Sequence, residues 1–427
     1  MFNDINPRKR GDGLGVRQAT PTQDTEPAFQ PPEQVADNDD RLGGIPNPHV
    51  VGSTSFLKST LPDTNAKHKR AGLHLPFGPI SKRRAVILAA AFVVICGGGG
   101  TAYAITHKQK PTPAPAAAVT TPEPPAAAPA PTTVASPLTG ITVQPEQAKL
   151  PVTGIMIENS PDARPQSGLK DAGVVYEAIA EGGITRFLAL YQEADPDYIG
   201  PVRSARPYYL EWLQGYDAAV AHVGGSPEAL ALIKSVGIKD LDQFANSGAY
   251  WRISSRYAPH NMYTSIAKLR EAGAAKGFTT STFTGFVRKP EAAATTPTAR
   301  TVDLTLSGYL YNVHYDFAPD TNSYLRSEGG KPHKDDKSGT QLNAKVVVAI
   351  VVPYGIKSDG LHSDYQTTGN GKAYIFQDGT VTIGMWEKKS SKDPLVLGDA
   401  NGSPLAINPG QTWVTAVATA DKVKYTP

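Results

Sequence analysis

The chain has 427 residues, 42 lysines and arginines against 39 aspartates and glutamates, and a net charge of +3. So small a surplus over this length excludes a dedicated nucleic-acid binder with a broad basic face. The single cysteine, Cys96, leaves no pair for an intrachain disulfide, so the fold depends on packing.

Residues 1–84 mix Pro, Gly, Asp, Asn and Lys with few apolar clusters, a composition that buries too little surface to offset chain entropy, and they read as a disordered tail. Ala85 to Thr106, "AVILAAAFVVICGGGGTAYAIT", has no charged residue and the length of a bilayer-spanning helix. Lys67, Lys69, Arg70, Lys82, Arg83 and Arg84 precede it and only Lys108 and Lys110 follow closely, which places the N-terminus in the cytoplasm and the rest outside the cell membrane. "VVICG" is close to a lipoprotein cleavage box, which makes Cys96 a candidate lipidation site. Ile95 stands where such boxes carry a small residue, and the long N-terminal region favours an uncleaved anchor. "AYA" at Ala102 to Ala104 looks like a signal-peptidase site and meets the same objection. Residues 107–140 read as a linker, with nine prolines between Pro111 and Pro137. Extended at about 3.1 Å per residue, that stretch reaches roughly 80 Å from the bilayer.

Residues 141–288 read as an α/β domain. "GIMIE", "GVVYEAIA", "ITRFLALYQ" and "DAAVAHV" are short apolar runs bounded by Gly, Pro and Asp, as buried strands are. "PYYLEWLQ" sets Tyr209, Trp212 and Leu213 on one helical face, and "SPEALALIKSV" begins with a Ser226 cap and Pro227 and stops before Gly237. Lys289 to Thr301, rich in Pro, Ala and Thr, reads as a second linker. Residues 302–427 read as a β-rich domain, in which Asp378-Gly379 marks a hairpin turn.

Arginine is the first candidate for chemistry, because its planar fork suits phosphate and carboxylate. Six arginines, Arg164, Arg186, Arg203, Arg206, Arg252 and Arg256, lie between Pro151 and His260, against three lysines. Arg203 and Arg206 flank the start of "PYYLEWLQ", where free backbone N–H groups and the helix dipole favour an anion. The competing account pairs these arginines with Glu158, Glu177 and Glu181 as internal braces. "HVGGSPEAL" has the strand, glycines and capped helix of an anion-binding loop around Ser226, or is plain strand-to-helix punctuation; it is no Walker loop. Glu158, Asn159, Glu177 and Glu181 sit at or beyond strand ends, where a carboxylate acts as a base or holds a cation, or is simply solvated. His222, His260, His314, His333 and His362 show no metal-ligand spacing, and no Gly-x-Ser-x-Gly elbow is present.

"RPQSGLKDAGVVYEAIAEGGITRFLALY", "IGPVRSARPY" and "HVGGS", followed by "YNVHYDFAPDTNSYLRS", "DGTVTIGMW" and "NPGQTW", resemble in this order the YerB-like lipoproteins. These are a bacterial family of unknown function with an N-terminal and a C-terminal part. The resemblance runs from about Ile141 to Pro427 and implies an exported, membrane-tethered envelope protein without naming a reaction. A weaker likeness is to the LytR-CpsA-Psr transferases, which move wall polymers from polyprenyl pyrophosphate. It places Arg186 and Arg203 near that family's two arginines, but Phe187 and Ser204 stand where the family has Asp.

Together these readings give one membrane span and an outward anion site, for a wall component or a lipid-linked precursor, built from Arg164, Arg186, Arg203, Arg206, Ser226, Glu158, Asn159, Glu177 and Glu181. Two alternatives stand beside it: a phosphotransferase acting on polyprenyl-pyrophosphate-linked polymers, and a scaffold between membrane and wall. No cofactor is expected; a divalent cation enters only under the transferase reading. The oligomeric state is not legible.

Overall fold

A computed structural model describes residues 132–427. The tail, the Ala85–Thr106 segment, Cys96 and most of the first linker lie outside those residues. Among the described residues no helix is long and apolar enough to cross a membrane.

The described residues are mostly β, with four α-helices: α1 (Pro145–Ala148), α2 (Pro207–Gln214), α3 (Pro227–Val236) and α4 (Ile266–Ala275). Fourteen strands supply the large sheet and the body of a smaller one. β1 (Thr153–Glu158), β2 (Val174–Glu181), β3 (Ile184–Tyr191), β4 (Ala219–His222) and β5 (Lys239–Asp242) come from the first half. β6 (Thr301–Leu304), β7 (Val313–Ala318), β8 (Ser323–Glu328), β9 (Val346–Val351), β10 (Gly369–Gln377), β11 (Thr380–Lys388), β12 (Val396–Gly398), β13 (Thr412–Val417) and β14 (Val423–Thr426) follow.

One ten-stranded sheet runs β12-β11-β10-β9-β13-β2-β3-β1-β4-β5. β13 lies parallel to both β9 and β2, with Thr412 opposite Val174, so strands from residues 141–288 and 302–427 belong to a single sheet. The α/β expectation holds for β1-α2-β4-α3-β5, where helix-bearing crossovers join parallel neighbours. Residues 289–301, read as a linker, are pinned to the body. Lys289 Nζ pairs with Asp378 at 2.6 Å, and Thr298 and Ala299 donate their N–H groups to Gly379 O. The folded part also begins before residue 141. Val134–Ala135 pairs with Thr142–Val143, and Leu138 is buried with its carbonyl held by Arg288. Composition identified both stretches as irregular; irregular backbone still packs when its polar groups find partners.

Alternation along the strands sends successive side chains to opposite faces and makes two cores. Met156, Tyr176, Leu188, Val348 and Val414 meet Tyr209, Trp212 and Leu213 of α2 and Ile233 of α3. On the other face Ile157, Val175, Phe187, Val347 and Trp413 meet Ile266 and Leu269 of α4. The same core takes Val302, Val313, Tyr315, Tyr324 and Val423 from a smaller antiparallel sheet whose order includes β8-β7-β6-β14. Helix boundaries follow local chemistry. Ser226 accepts from Ala229 N, Pro227 stands first in α3, and Gly237 ends it at φ 70°.

Candidate functional site

Glu158 ends β1, with Arg186 of β3 as its register partner, and Glu181 ends β2 before the Gly182-Gly183 turn. Both carboxylates stand at the carboxyl edge of parallel strands, where open α/β sheets place their ligand sites. The chain from Ile199 crosses this edge as Val202 bridges Ile157 and Ala205 bridges Gly225.

Arg186 Nη2 donates to Glu181 Oε1 at 2.6 Å, and Arg206 Nε donates to Glu181 Oε2 at 2.9 Å. Ser204 O and Ala205 O accept from the two Nη1 atoms at 2.7 and 2.9 Å. Two nearly buried guanidiniums therefore share one carboxylate whose side chain is 19% exposed. Burial pushes the Glu181 carboxyl up, but Arg186 and Arg206 outweigh it and hold it below its ordinary value. Burial and then the charge of Arg186 push Arg206 down.

Glu158 Oε1 accepts from Ser160 Oγ at 2.9 Å and lies 2.9 Å from His260 Nδ1 and 3.6 Å from Arg203 Nε. Burial raises this carboxyl; the hydrogen bond to His260 and the charges of Arg203, His260 and Arg186 bring it net below its ordinary value. The same hydrogen bond leads in holding His260 above its ordinary value.

Behind this edge runs a buried polar chain. Glu177 takes Arg326 Nη2 at 2.8 Å and Trp413 Nε1 at 3.1 Å. Arg326 Nε donates to His333 Nδ1 at 3.0 Å, and its guanidinium lies 4.3 Å from the Trp413 ring centroid. Burial, then the charges of Arg326 and Arg164, keep His333 well below its ordinary value and hence neutral. With Nδ1 accepting, Nε2–H donates to Gln166 Oε1 at 2.8 Å. Gln166 donates onward to Asn159 Oδ1 at 2.7 Å, and Asn159 Nδ2 donates to Glu328 Oε1 at 2.6 Å. Arg164 Nε donates to Asn159 Oδ1 at 3.0 Å, and its Nη2 lies 3.2 Å from Glu328. Among the described residues, Glu158 Oε2, Glu328 Oε2 and Arg186 Nε are buried without a hydrogen-bond partner.

The expected residues are thus sorted by the fold. Glu158, Glu181, Arg186, Arg203 and Arg206 gather at the edge. Arg164 and Asn159 join it to the buried chain, and Glu177 lies wholly inside. Ser226 caps α3 beside them, its N–H donating to Ala205 O at 3.2 Å. Sequence reasoning missed Ser160, Gln166, His260, Arg326, Glu328 and His333 as members. One signal was available: Tyr324, Arg326 and Glu328 alternate along β8 and share an inward face. Among the described residues no group of three or more His, Cys, Asp or Glu is arranged to hold a metal ion. Two surface depressions, of about 330 and 420 Å³, are lined by residues such as Lys239 and Lys268 and include none of these groups.

The model of the family "Protein of unknown function (DUF3048)" matches in two parts, its N-terminal domain over residues 138–279 and its C-terminal domain over 302–414. YerB of Bacillus subtilis (strain 168), a candidate lipoprotein, is 30% identical over 290 residues, 67% of this chain and 87% of YerB. The crystal structure of the YerB protein from Bacillus subtilis matches with a TM-score of 0.62 at 29% identity, covering 69% of this chain and 100% of that chain.

Proposed function

Because the chain belongs to the DUF3048 family, with both of its parts and YerB as a relative, we propose that it is an exported, membrane-held envelope protein that binds an anionic wall component. The candidate-lipoprotein description of YerB and the uncharged Ala85–Thr106 stretch support the tether. The observation that carries the binding reading is the sharing of Glu181 by Arg186 and Arg206. Counted over the whole edge, Arg186, Arg203 and Arg206 face Glu158 and Glu181, a local positive surplus that an added phosphate or carboxylate relieves.

Residues 132–427 contain both cores and both family-matched stretches, 138–279 and 302–414, and the crystallised YerB chain, whose whole length is matched, covers 69% of this chain, so the portion folds on its own. Titrating it with poly(glycerol phosphate) in a calorimeter tests the reading. The wild type binds, and Arg206→Gln, which leaves Glu181 its Arg186 partner, weakens binding about tenfold, or 1.4 kcal/mol. Absence of binding, or equal binding by both proteins, refutes it. A specific observation then favours the scaffold: Arg164, Arg186, Arg203 and Arg206 each lie within 4 Å of a carboxylate of the same chain. Phosphotransfer rests on the likeness to LytR-CpsA-Psr transferases alone.

A further inference from the structure

Loops around the carboxyl edge hold six large apolar side chains in solvent: Phe244, Tyr257, Tyr309, Leu310, Ile356 and Leu361, with Tyr257 90% and Phe244 74% exposed. Internal contacts place the segments that carry them at successive strand ends of this edge. The Phe244 ring comes within 3.8 Å of a Cβ built on Gly224, beyond β4. Tyr257 O accepts from His260 N at 2.9 Å, beside Glu158. Its neighbour Arg256 donates to Pro165 O at 2.6 Å, and Arg164 donates to Leu310 O at 2.7 Å. Ser307, two residues before Tyr309, donates to Gly183 O at 2.5 Å. Leu361 O accepts from Gly182 N at 3.2 Å, and Ile356 belongs to the hairpin that includes this loop. The apolar groups therefore flank the arginine–glutamate cluster from β5 to β2. That is four strand spacings of about 4.8 Å, or about 19 Å, long enough for several sugar rings. Several large apolar groups exposed around one charged cluster suit an interaction surface.

Two observations choose the occupant. The described chain enters at the opposite edge, where Ser136 Oγ donates to Glu193 at 3.0 Å and Leu138 N to Gln192 at 3.2 Å, just past the end of β3. A tether upstream of residue 132 thus attaches away from the rim. The rim's charges are also mixed: Arg164, Arg256 and Lys357 lie among Asp162, Asp359 and Glu228. A flat anionic bilayer calls for a basic excess spread across the whole rim, which the surplus confined to the Arg186 and Arg206 cluster does not supply. A glycan calls for no such excess. Its rings offer apolar C–H faces to aromatic side chains, and its hydroxyls and anionic substituents take both carboxylates and guanidiniums.

Resting on the anion-binding reading above, we propose that the carboxyl-edge rim binds a strand of anionic wall glycan, with sugar rings stacked on Phe244, Tyr257 and Tyr309. The test is co-sedimentation of residues 132–427 with Bacillus subtilis sacculi, intact or stripped of phosphate polymers, and with phosphatidylglycerol vesicles. The wild type pellets with sacculi and stays in solution with vesicles. Tyr257→Ser combined with Phe244→Ser, two exposed positions whose loss leaves the cores intact, lowers retention on both kinds of sacculi about tenfold. A circular-dichroism melt equal to wild type shows that the variant is folded. Binding to vesicles but not sacculi, or unchanged retention of the double variant, overturns the proposal. Retention that falls with the aromatic pair but not with Arg206→Gln keeps the glycan and removes the anion-binding reading. Binding of free poly(glycerol phosphate) without sacculus binding does the reverse.

Discussion

Glu177→Gln isolates the buried ion pair on which the interior depends. Glu177 and Arg326 are 0% and 1% exposed, and Glu177 accepts from Arg326, Trp413 and Thr415. Removing one partner of a buried pair costs about 3–5 kcal/mol because the other is left as an uncompensated charge. Here Gln still accepts one hydrogen bond, and Glu328 lies 3.7 Å from Arg326 Nη2, so the lower end applies, about 3 kcal/mol. At about 2.1 cal/mol/K of unfolding entropy per residue, a unit of this length loses about 1.6 °C per kcal/mol, so the melting temperature falls by about 5 °C. Urea unfolding of residues 132–427, followed by tryptophan fluorescence, measures the free energy. Glu177→Gln with Arg326→Met removes both charges, and its loss is smaller than the sum of the single losses. A single-variant loss below about 1 kcal/mol, or strict additivity in the double variant, refutes the reasoning.

Three further outcomes follow from named contacts. Burial pushes the Glu328 carboxyl up to about 7 against the pull of Arg326 and Arg164. From its ordinary 4.5 to that value the folded state holds a proton the unfolded state lacks, so stability falls as pH rises across the interval. Glu328→Gln flattens the decline in urea midpoint between pH 5 and 8 and is more stable than wild type at pH 8; an unchanged decline counts against it. Ser226→Ala removes the acceptor for Ala229 N and costs about 1 kcal/mol in chemical denaturation, while Ser226→Gly costs a few tenths, and equal losses argue against the cap. A Cβ at Gly384 would stand 2.1 Å from Gly398 O, so Gly384→Ala forces β11 and β12 apart and costs about 1–3 kcal/mol, read from the melt; a melt like wild type dismisses the clash.

Much of the secondary structure was legible. "PYYLEWLQ" and "SPEALALIKSV" are helices at the expected positions, because Pro at the first turn, a Ser cap and a terminal Gly are local instructions. Asp378-Gly379 makes its hairpin with φ 57° and 75°. α4 was missed: Ile266 and Leu269 are its only buried large apolar residues, too thin a stripe to recognise. β5 reads "KDLD", and parallel pairing with β4 overrides its poor strand propensity. Of the candidate site, the choice of arginines at element ends was readable, and so was the possibility that Glu158, Glu177 and Glu181 brace them. Which carboxylate meets which arginine was not.

The amino-acid sequence by itself determined the caps, turns and inward faces, and it contained the ordered motifs of the family, since each depends on neighbours a few residues apart. Tertiary structure alone decided that residues before and after 289–301 share one sheet, because β2 chooses its neighbour β13 across more than two hundred residues and no local pattern encodes that choice. It likewise decided that Glu177 serves Arg326, 149 residues away, inside the body, while Glu181 serves Arg186 and Arg206 at its edge. A buried charge needs a partner, and the partner is whichever cation the packed sheets bring within reach.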